Sequence, residues 1–160
     1  MNTMTTGVIV RSAHHNDRVR WEAMFDAYRS GAGLSADPVV NGRLWSWICD
    51  TSNPVQALVA ESAGGLLGFA HFRRFPRPIM ADEGLFLDDL FTTPHARGRG
   101  VARALLDQLT GQVLTGDLAT LRWTTKPSNT AARRIYESYG VLADSLTYDS
   151  GSHGAIRSSV

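Results

Sequence analysis

Apolar and polar positions alternate along this chain in a rhythm that changes several times, and each change marks an element. Residues 7–11 read as a short strand, and Asn16-Asp17 can cap a helix that carries Val19, Trp21, Met24, Phe25 and Tyr28 and ends near Gly31. Residues 30–42, rich in Ser, Gly, Ala and Asp with Pro38, read as a loop, and Leu44, Trp45, Trp47 and Ile48 form a second short helix. Two strands follow at 56–61 and 66–73, joined at Ala63-Gly64-Gly65, a hairpin signal. Leu85, Phe86, Leu87, Leu90 and Phe91 mark a largely buried strand that Pro94 stops, because proline has no N–H to give the ladder. Val101, Ala104, Leu105, Leu106, Leu109 and Val113 then recur at helical spacing, which starts a helix near Arg99. A strand at 118–125, a helix from Asn129 and a strand at 141–148 complete the pattern. The polar, glycine-rich tail at 150–160 is either disordered or a short last strand, and without repeats or linkers residues 1–160 form a single domain.

At 160 residues and 43% apolar content, one domain can bury its own core. The net charge of +1, with no long basic run, predicts no general attraction to nucleic acid. No stretch approaches the roughly 20 apolar residues of a membrane span, and Arg11, His14, His15 and Asp17 interrupt any signal-peptide core. Cys49 is the sole cysteine, and His14, His15, His95 and His153 lack a metal-ligand pattern, so neither a disulfide framework nor a metal is expected. These features together predict a cytoplasmic protein.

The chemistry concentrates at residues 87–102, where a strand with two carboxylates runs into a glycine loop that opens a helix. The first-turn N–H groups of that helix have no intrahelical partners and sit at the positive end of the dipole, a natural anion site. Gly98 and Gly100 let the backbone approach a ligand closely. Arg97, Arg99 and Arg103 are unfavourable at a helix start by up to about 1 kcal/mol each unless an anion sits among them. A solvated basic turn is the plainer alternative. A dinucleotide fingerprint would need a small residue at Arg103, and a P-loop needs Gly-Lys-Ser or Gly-Lys-Thr, which is missing.

The run Arg97-Gly98-Arg99-Gly100-Val101-Ala102 resembles the acetyl-CoA motif of the GNAT family of N-acetyltransferases, Gln/Arg-x-x-Gly-x-Gly/Ala. The segment from Asn129 through Ala132 and Tyr136 to Gly140 and Val141 resembles that family's Asn-x-x-Ala-x-x-x-Tyr-x-x-x-Gly-Phe, with Val141 replacing the usual Phe. The nearest resemblance is to the polyamine and thialysine enzymes and the related branch acting on histones or amino acids, which share an acidic pair before the glycine loop, here Asp88-Asp89. The resemblance implies an α/β domain with a mixed, mostly antiparallel sheet flanked by about four helices. That sheet would be splayed between the strands at 85–92 and 118–125 to admit acetyl-CoA. It further implies a homodimer and one wall of the acceptor site from the first two helices. Leu90, Phe91, Thr92, the loop from Arg97 to Arg103, Asn129 and Ala132 would bind the cofactor.

A primary amine of pKa about 10.4 is only about 0.04% free base at pH 7, so its deprotonation costs about 4.6 kcal/mol before it can attack a thioester. By resemblance Asp88 is the carboxylate that relieves this cost; the competing role is an aspartate paired with an arginine. Asp89 would point to the opposite face of a regular strand, so both carboxylates reach one amine only if the strand bulges. Asp89 is assigned to amine binding. Tyr136 would return a proton to the departing CoA thiolate, or else serve as a core tyrosine. His71, a lone strand histidine, is unassigned, while Trp21, Trp45, Trp47 and Trp123 read as core or cleft wall.

The expected reaction is acetyl transfer to a primary amine of a small molecule, a polyamine or amino acid, by direct attack in a ternary complex. A backbone N–H near Leu90 would meet the oxyanion. Alternatives are a protein acetyltransferase acting on a lysine or N-terminal amine, and a CoA-binding sensor domain without catalysis.

Overall fold

The longest unbroken buried stretch among the described residues, Leu67 to Phe72, is apolar but for His71, which is how a strand reads when both its faces are covered. In the computed structural model, which describes residues 7–150, this stretch lies in β3, the middle strand of a five-stranded sheet of order β1-β2-β3-β4-β5. The strands are β1 (Ile9–Ser12), β2 (Val55–Ser62), β3 (Gly65–Arg77), β4 (Asp82–Thr92) and β5 (Leu121–Trp123). The first four pair antiparallel, and β5 joins β4 in parallel. Four helices accompany them: α1 (Arg18–Gly31), α2 (Pro38–Cys49), α3 (Val101–Thr115) and α4 (Thr130–Tyr136). The expected α/β class with a mixed, mostly antiparallel sheet and four helices is the observed one. The described chain divides into two compact units at Thr124/Thr125; α4 belongs to the second, and the other elements to the first.

The two faces of the sheet take different helices. Phe69 and Val59 join Trp21, Met24, Phe25, Trp45 and Phe91 in one aromatic-rich cluster beneath α1 and α2. A Cβ added at Gly68, one residue out of phase with Phe69, would come within 3.0 Å of Val101 Cγ1, so the other face looks toward α3, whose Val101, Leu105, Leu106 and Leu109 are buried. Such a Cβ would also lie 2.4 Å from the Phe91 carbonyl oxygen, so only glycine lets β3 and β4 approach as they do there.

Several boundaries differ from the sequence pattern, for identifiable reasons. The loop expected through residue 42 gives way to α2 at Pro38: Asp37 accepts from the Val39 and Val40 amides at 3.0 and 3.2 Å, and proline suits the first helical turn. The hairpin strands outrun their apolar residues because charge pairs continue the ladder, Arg74 with Glu83 and Arg77 with Asp82, both at 3.3 Å. β5 is three residues rather than eight, since the Leu118 amide closes the end of α3 on the Val113 carbonyl at 3.1 Å. The strand expected at 141–148 does not form: these residues carry no strand, and Val141, Leu142, Leu146 and Tyr148 are all exposed. Alternating apolar residues make a strand only beside a partner edge, and among the described residues none pairs with this segment. The expectations for the tail fall largely on residues 151–160, outside the described residues.

The entry to α1 is held by a charge cluster. Arg11 donates to Asp17 at 2.7 and 3.0 Å and to Glu61 at 3.0 and 2.7 Å, and the His14 amide also donates to Asp17. The hydrogen bonds from Arg11 outweigh burial and hold the Asp17 carboxyl below its ordinary range. A depressed folded value contributes stability that is present above the unfolded pKa of about 3.9 and is lost as pH falls through the lower folded value. Asp17→Ala should therefore cost about 1–3 kcal/mol at neutral pH, where it strands two donors, and the gap to wild type should close as acid protonates Asp17. Urea unfolding at pH 7 and at about pH 2 checks this; equal stability at neutral pH would contradict it.

Candidate functional site

The register of β3 against β4 is continuous except at one place. His71 stands opposite Asp89 and Phe72 opposite Leu87, so Asp88 is an extra residue without a ladder partner. A bulge of this kind reverses the in-out alternation of the strand beyond it. Before the bulge, Phe86 lies under the Arg73 guanidinium, 4.7 Å from the ring centroid; after it, Phe91 enters the aromatic cluster with Phe69. Asp88 bonds Arg73 and Asp89 bonds His71, and His71 and Arg73, two apart on β3, share a face. Both carboxylates thus emerge on the α1 side of the sheet, as the bulge expectation required.

Their environments are unlike. Asp88 is held side-on by Arg73, Nε to Oδ2 at 3.0 Å and Nη2 to Oδ1 at 3.2 Å. Loss of water still raises the Asp88 carboxyl above its usual range; Arg73 pulls the other way, and the neighbouring Asp89 charge adds to the rise. Asp89 is pushed up by burial too, but hydrogen bonds from His71 and Tyr28 more than reverse this and hold it low. The Tyr28 hydroxyl donates to Asp89 Oδ1 at 2.8 Å, His71 Nδ1 lies 2.9 Å from Oδ2, and the Trp21 indole N–H donates to His71 Nε2 at 2.9 Å. The arginine partner anticipated for Asp88 exists and is Arg73.

Tyr28, Arg73 and His71 are participants to which pattern reading gave no role in the site, and Trp21, read as core or cleft wall, is core. Two signals pointed to them: a histidine within an apolar run must find hydrogen-bond partners, and Trp21 and Tyr28 sit seven apart on one helix face.

β4 pairs with β5 only through Leu87 opposite Trp123. Among the described residues, no strand continues along that edge beside residues 88–92. The Thr93 amide donates to the Leu67 carbonyl of β3 at 2.9 Å, so by alternation the amides of Leu90 and Thr92 point away from β3, toward the edge that β5 has left. The Phe91 ring is in the core, which leaves only its backbone for a ligand. The strand then passes through a 3-10 turn at Pro94–Ala96 to the glycine loop. Gly98 and Gly100 adopt φ of +73° and +80°, and Gly100 is the N-cap of α3 with no side-chain cap of its own. The Val101 and Ala102 amides there have no intrahelical acceptor, with Arg97, Arg99 and Arg103 exposed around that helix end and Val101 buried beneath. Ala102, in the first turn of α3, is half-buried. Open amides, positive-φ glycines and arginines at one helix start fit a diphosphate-bearing cofactor.

In the second unit, Asn129 lies outside the helix that it was expected to share with Ala132 and Tyr136. It caps α4: its Oδ1 accepts from the Ala132 amide at 3.4 Å, and its Nδ2 donates to Thr125. Tyr136 closes α4, partly buried, and burial raises its phenol, so the hydroxyl is protonated at neutral pH. Among the described residues no group of three or more His, Cys, Asp or Glu could hold a metal ion.

Comparison with known proteins bears on the family and the fold. The chain is 21% identical over 143 residues to a D-amino-acid N-acetyltransferase of Saccharomyces cerevisiae, covering 88% of this chain and 89% of the relative. The fold matches a ribosomal-protein-alanine N-acetyltransferase from Brucella melitensis biovar Abortus 2308 with a TM-score of 0.76 at 22% identity, covering 90% of this chain and 98% of the other. It also matches AAC(6')-Iy in complex with the bisubstrate analogue CoA-S-monomethyl-acetylneamine, with a TM-score of 0.75 at 15% identity over 91% and 98% of the two chains. The model of the acetyltransferase (GNAT) family matches residues 20–141, most of the described chain, and the protein belongs to that family.

Proposed function

We propose that the protein transfers the acetyl group of acetyl-CoA to a primary amine of a small molecule, a polyamine or an amino acid. The observation that carries this reading is the bulge at Asp88, which brings two carboxylates of opposite pKa tendency to one face of β4 where the strand loses its neighbour. Paired titratable groups whose environments drive them apart mark a division of labour between charge and proton transfer.

Asp89, held ionised by His71 and Tyr28, is suited to anchor an ammonium. Asp88, whose carboxyl is raised, is the better proton acceptor of the two and would take the proton that the amine must lose. The loop from Arg97 to Arg103 would hold the diphosphate, and Leu90, Phe91 and Thr92 would offer backbone to the rest of the cofactor. Asn129 and Ala132 are assigned to the cofactor from the second unit. When bound, acetyl-CoA supplies the thioester that the amine attacks. The Leu90 amide would donate to the oxygen that gains charge, and Tyr136 would give its proton to the leaving sulfur. A small acceptor in a protein that works as a homodimer in the cytoplasm completes the reading.

Three measurements test it. Gly100→Val forces a side chain into a left-handed conformation that costs roughly 1–2 kcal/mol, so calorimetric CoA affinity should fall tenfold or more, about 1.4 kcal/mol; unchanged affinity in a folded variant would remove the loop from the cofactor. For the best free amine, kcat/KM should rise with pH through the neutral range as the free base grows, Asp88→Asn should lower it about 100-fold, and Asp89→Asn should act mainly on amine KM. Acetylation of peptides with no turnover of any free amine would place the acceptor among proteins instead. Tyr136→Phe should lower kcat by about 100-fold or more with little change in acetyl-CoA affinity; a loss below about threefold would return Tyr136 to a packing role.

A further inference from the structure

His71 has no task in the reaction proposed above, yet it is 1% exposed and hydrogen-bonded through both ring nitrogens. An imidazole taken out of water in a cluster of Trp21, Phe25 and Phe69 rings costs stability relative to an apolar side chain of similar size unless both nitrogens are satisfied. The indole N–H of Trp21 is a donor only. Its bond to Nε2 at 2.9 Å therefore requires a lone pair there, and the ring proton of neutral His71 must sit on Nδ1, 2.9 Å from Asp89 Oδ2. The opposite tautomer would set N–H against N–H at one end of the ring and a lone pair against a carboxylate at the other. His71 can donate to Asp89; it cannot accept a further proton at Nε2 without breaking its bond to Trp21.

The second oxygen of Asp89 is fixed as well, by the Tyr28 hydroxyl at 2.8 Å. Both oxygens are thus gripped from the core side, while the side chain keeps 27% of its surface exposed. Tyr28 reaches this assembly from α1, Asp88 adjoins Asp89 in the strand and is itself paired with Arg73, and α2 contributes the uncharged Trp45, packed on Trp21.

We propose that Trp21 and His71 form a positioning relay, with the indole setting the imidazole tautomer and the imidazole holding Asp89 in the orientation that receives the acceptor ammonium. The proposal rests on the reading of Asp89 as the amine-binding carboxylate. His71 touches no reacting atom and acts through Asp89, so its loss falls on amine binding. Orienting the anion before the cation arrives removes an ordering cost that binding would otherwise bear.

Steady-state kinetics of the full chain separate positioning from packing. His71→Leu should raise the KM of the best amine about tenfold, leaving kcat and the KM of acetyl-CoA within about threefold. His71→Asn, whose side-chain N–H can still donate to Asp89, should recover most of that loss. Equal amine KM in the two variants, or unchanged amine KM in a folded His71→Leu, would overturn the relay. The tautomer is read independently by nitrogen-15 NMR of the labelled wild type, which needs neither a variant that folds nor turnover. In the neutral ring, a proton at Nδ1 and a bare Nε2 are expected; the Nε2–H tautomer would overturn the proposal. Failure of every free amine to be acetylated, with the Nδ1 tautomer present, would overturn the assigned function and confine the relay to a structural lock on Asp89.

Discussion

One residue inserted into β4 organises the face of the sheet that lies under α1. A strand that alternated regularly from Phe86 to Phe91 could not place both rings on the α1 side, because they lie five positions apart and the period is two. The bulge at Asp88 resolves the conflict, and in doing so exposes a second carboxylate on the face that already carries Asp89. The aromatic cluster under α1 and the acidic pair are consequences of the same local irregularity. Neither can be altered without the other.

Around that irregularity the molecule is unevenly rigid. On the core side, Asp89 is tied through His71 to Trp21 and through Tyr28 to α1, and α1 is fixed in turn by the Arg11 cluster at its start and by Asn41 of α2, whose Nδ2 donates to Asp26 at 2.8 Å. On the far side, β5 leaves β4 after three pairs, and the glycine loop carries two left-handed residues in three positions. A face clamped against the core beside an edge left open suits a site that must hold one reactant in orientation while a long, flexible cofactor threads alongside.

What could be read in the sequence follows the range of the physics involved. The glycine loop was legible because positive φ, open amides and a helix dipole are local properties, and Gly98 and Gly100 bear them within a few residues. The sheet core was legible for the same reason, through period-two and unbroken apolar runs. The bulge was recognisable only as a condition on Asp89, since the residue that leaves the ladder depends on the opposing strand. The Trp21–His71–Asp89–Tyr28 chain was legible only as a histidine in need of partners: its bonded pairs are 18 to 61 positions apart and meet only once α1 lies across β3. The strand expected at 141–148 failed for the converse reason, as an alternating pattern describes a face and cannot supply a neighbour. Asn129 was read as the first residue of its helix, whereas its short side chain is used as the cap of that helix.

The charged end of the β3–β4 hairpin has a consequence for assembly of the site. Arg73 meets Asp88, Arg74 meets Glu83 and Arg77 meets Asp82, three pairs distributed along both faces of a two-stranded ribbon. A hairpin closed one residue out of step would bring none of these partners together and would turn Asp89 away from His71, so the mistaken pairing lacks both its surface charges and its buried hydrogen bonds. Exposed ion pairs contribute little to the stability of a finished fold, but the two nearest the tip, Arg74–Glu83 and Arg77–Asp82, favour the one register in which Asp89 meets the histidine.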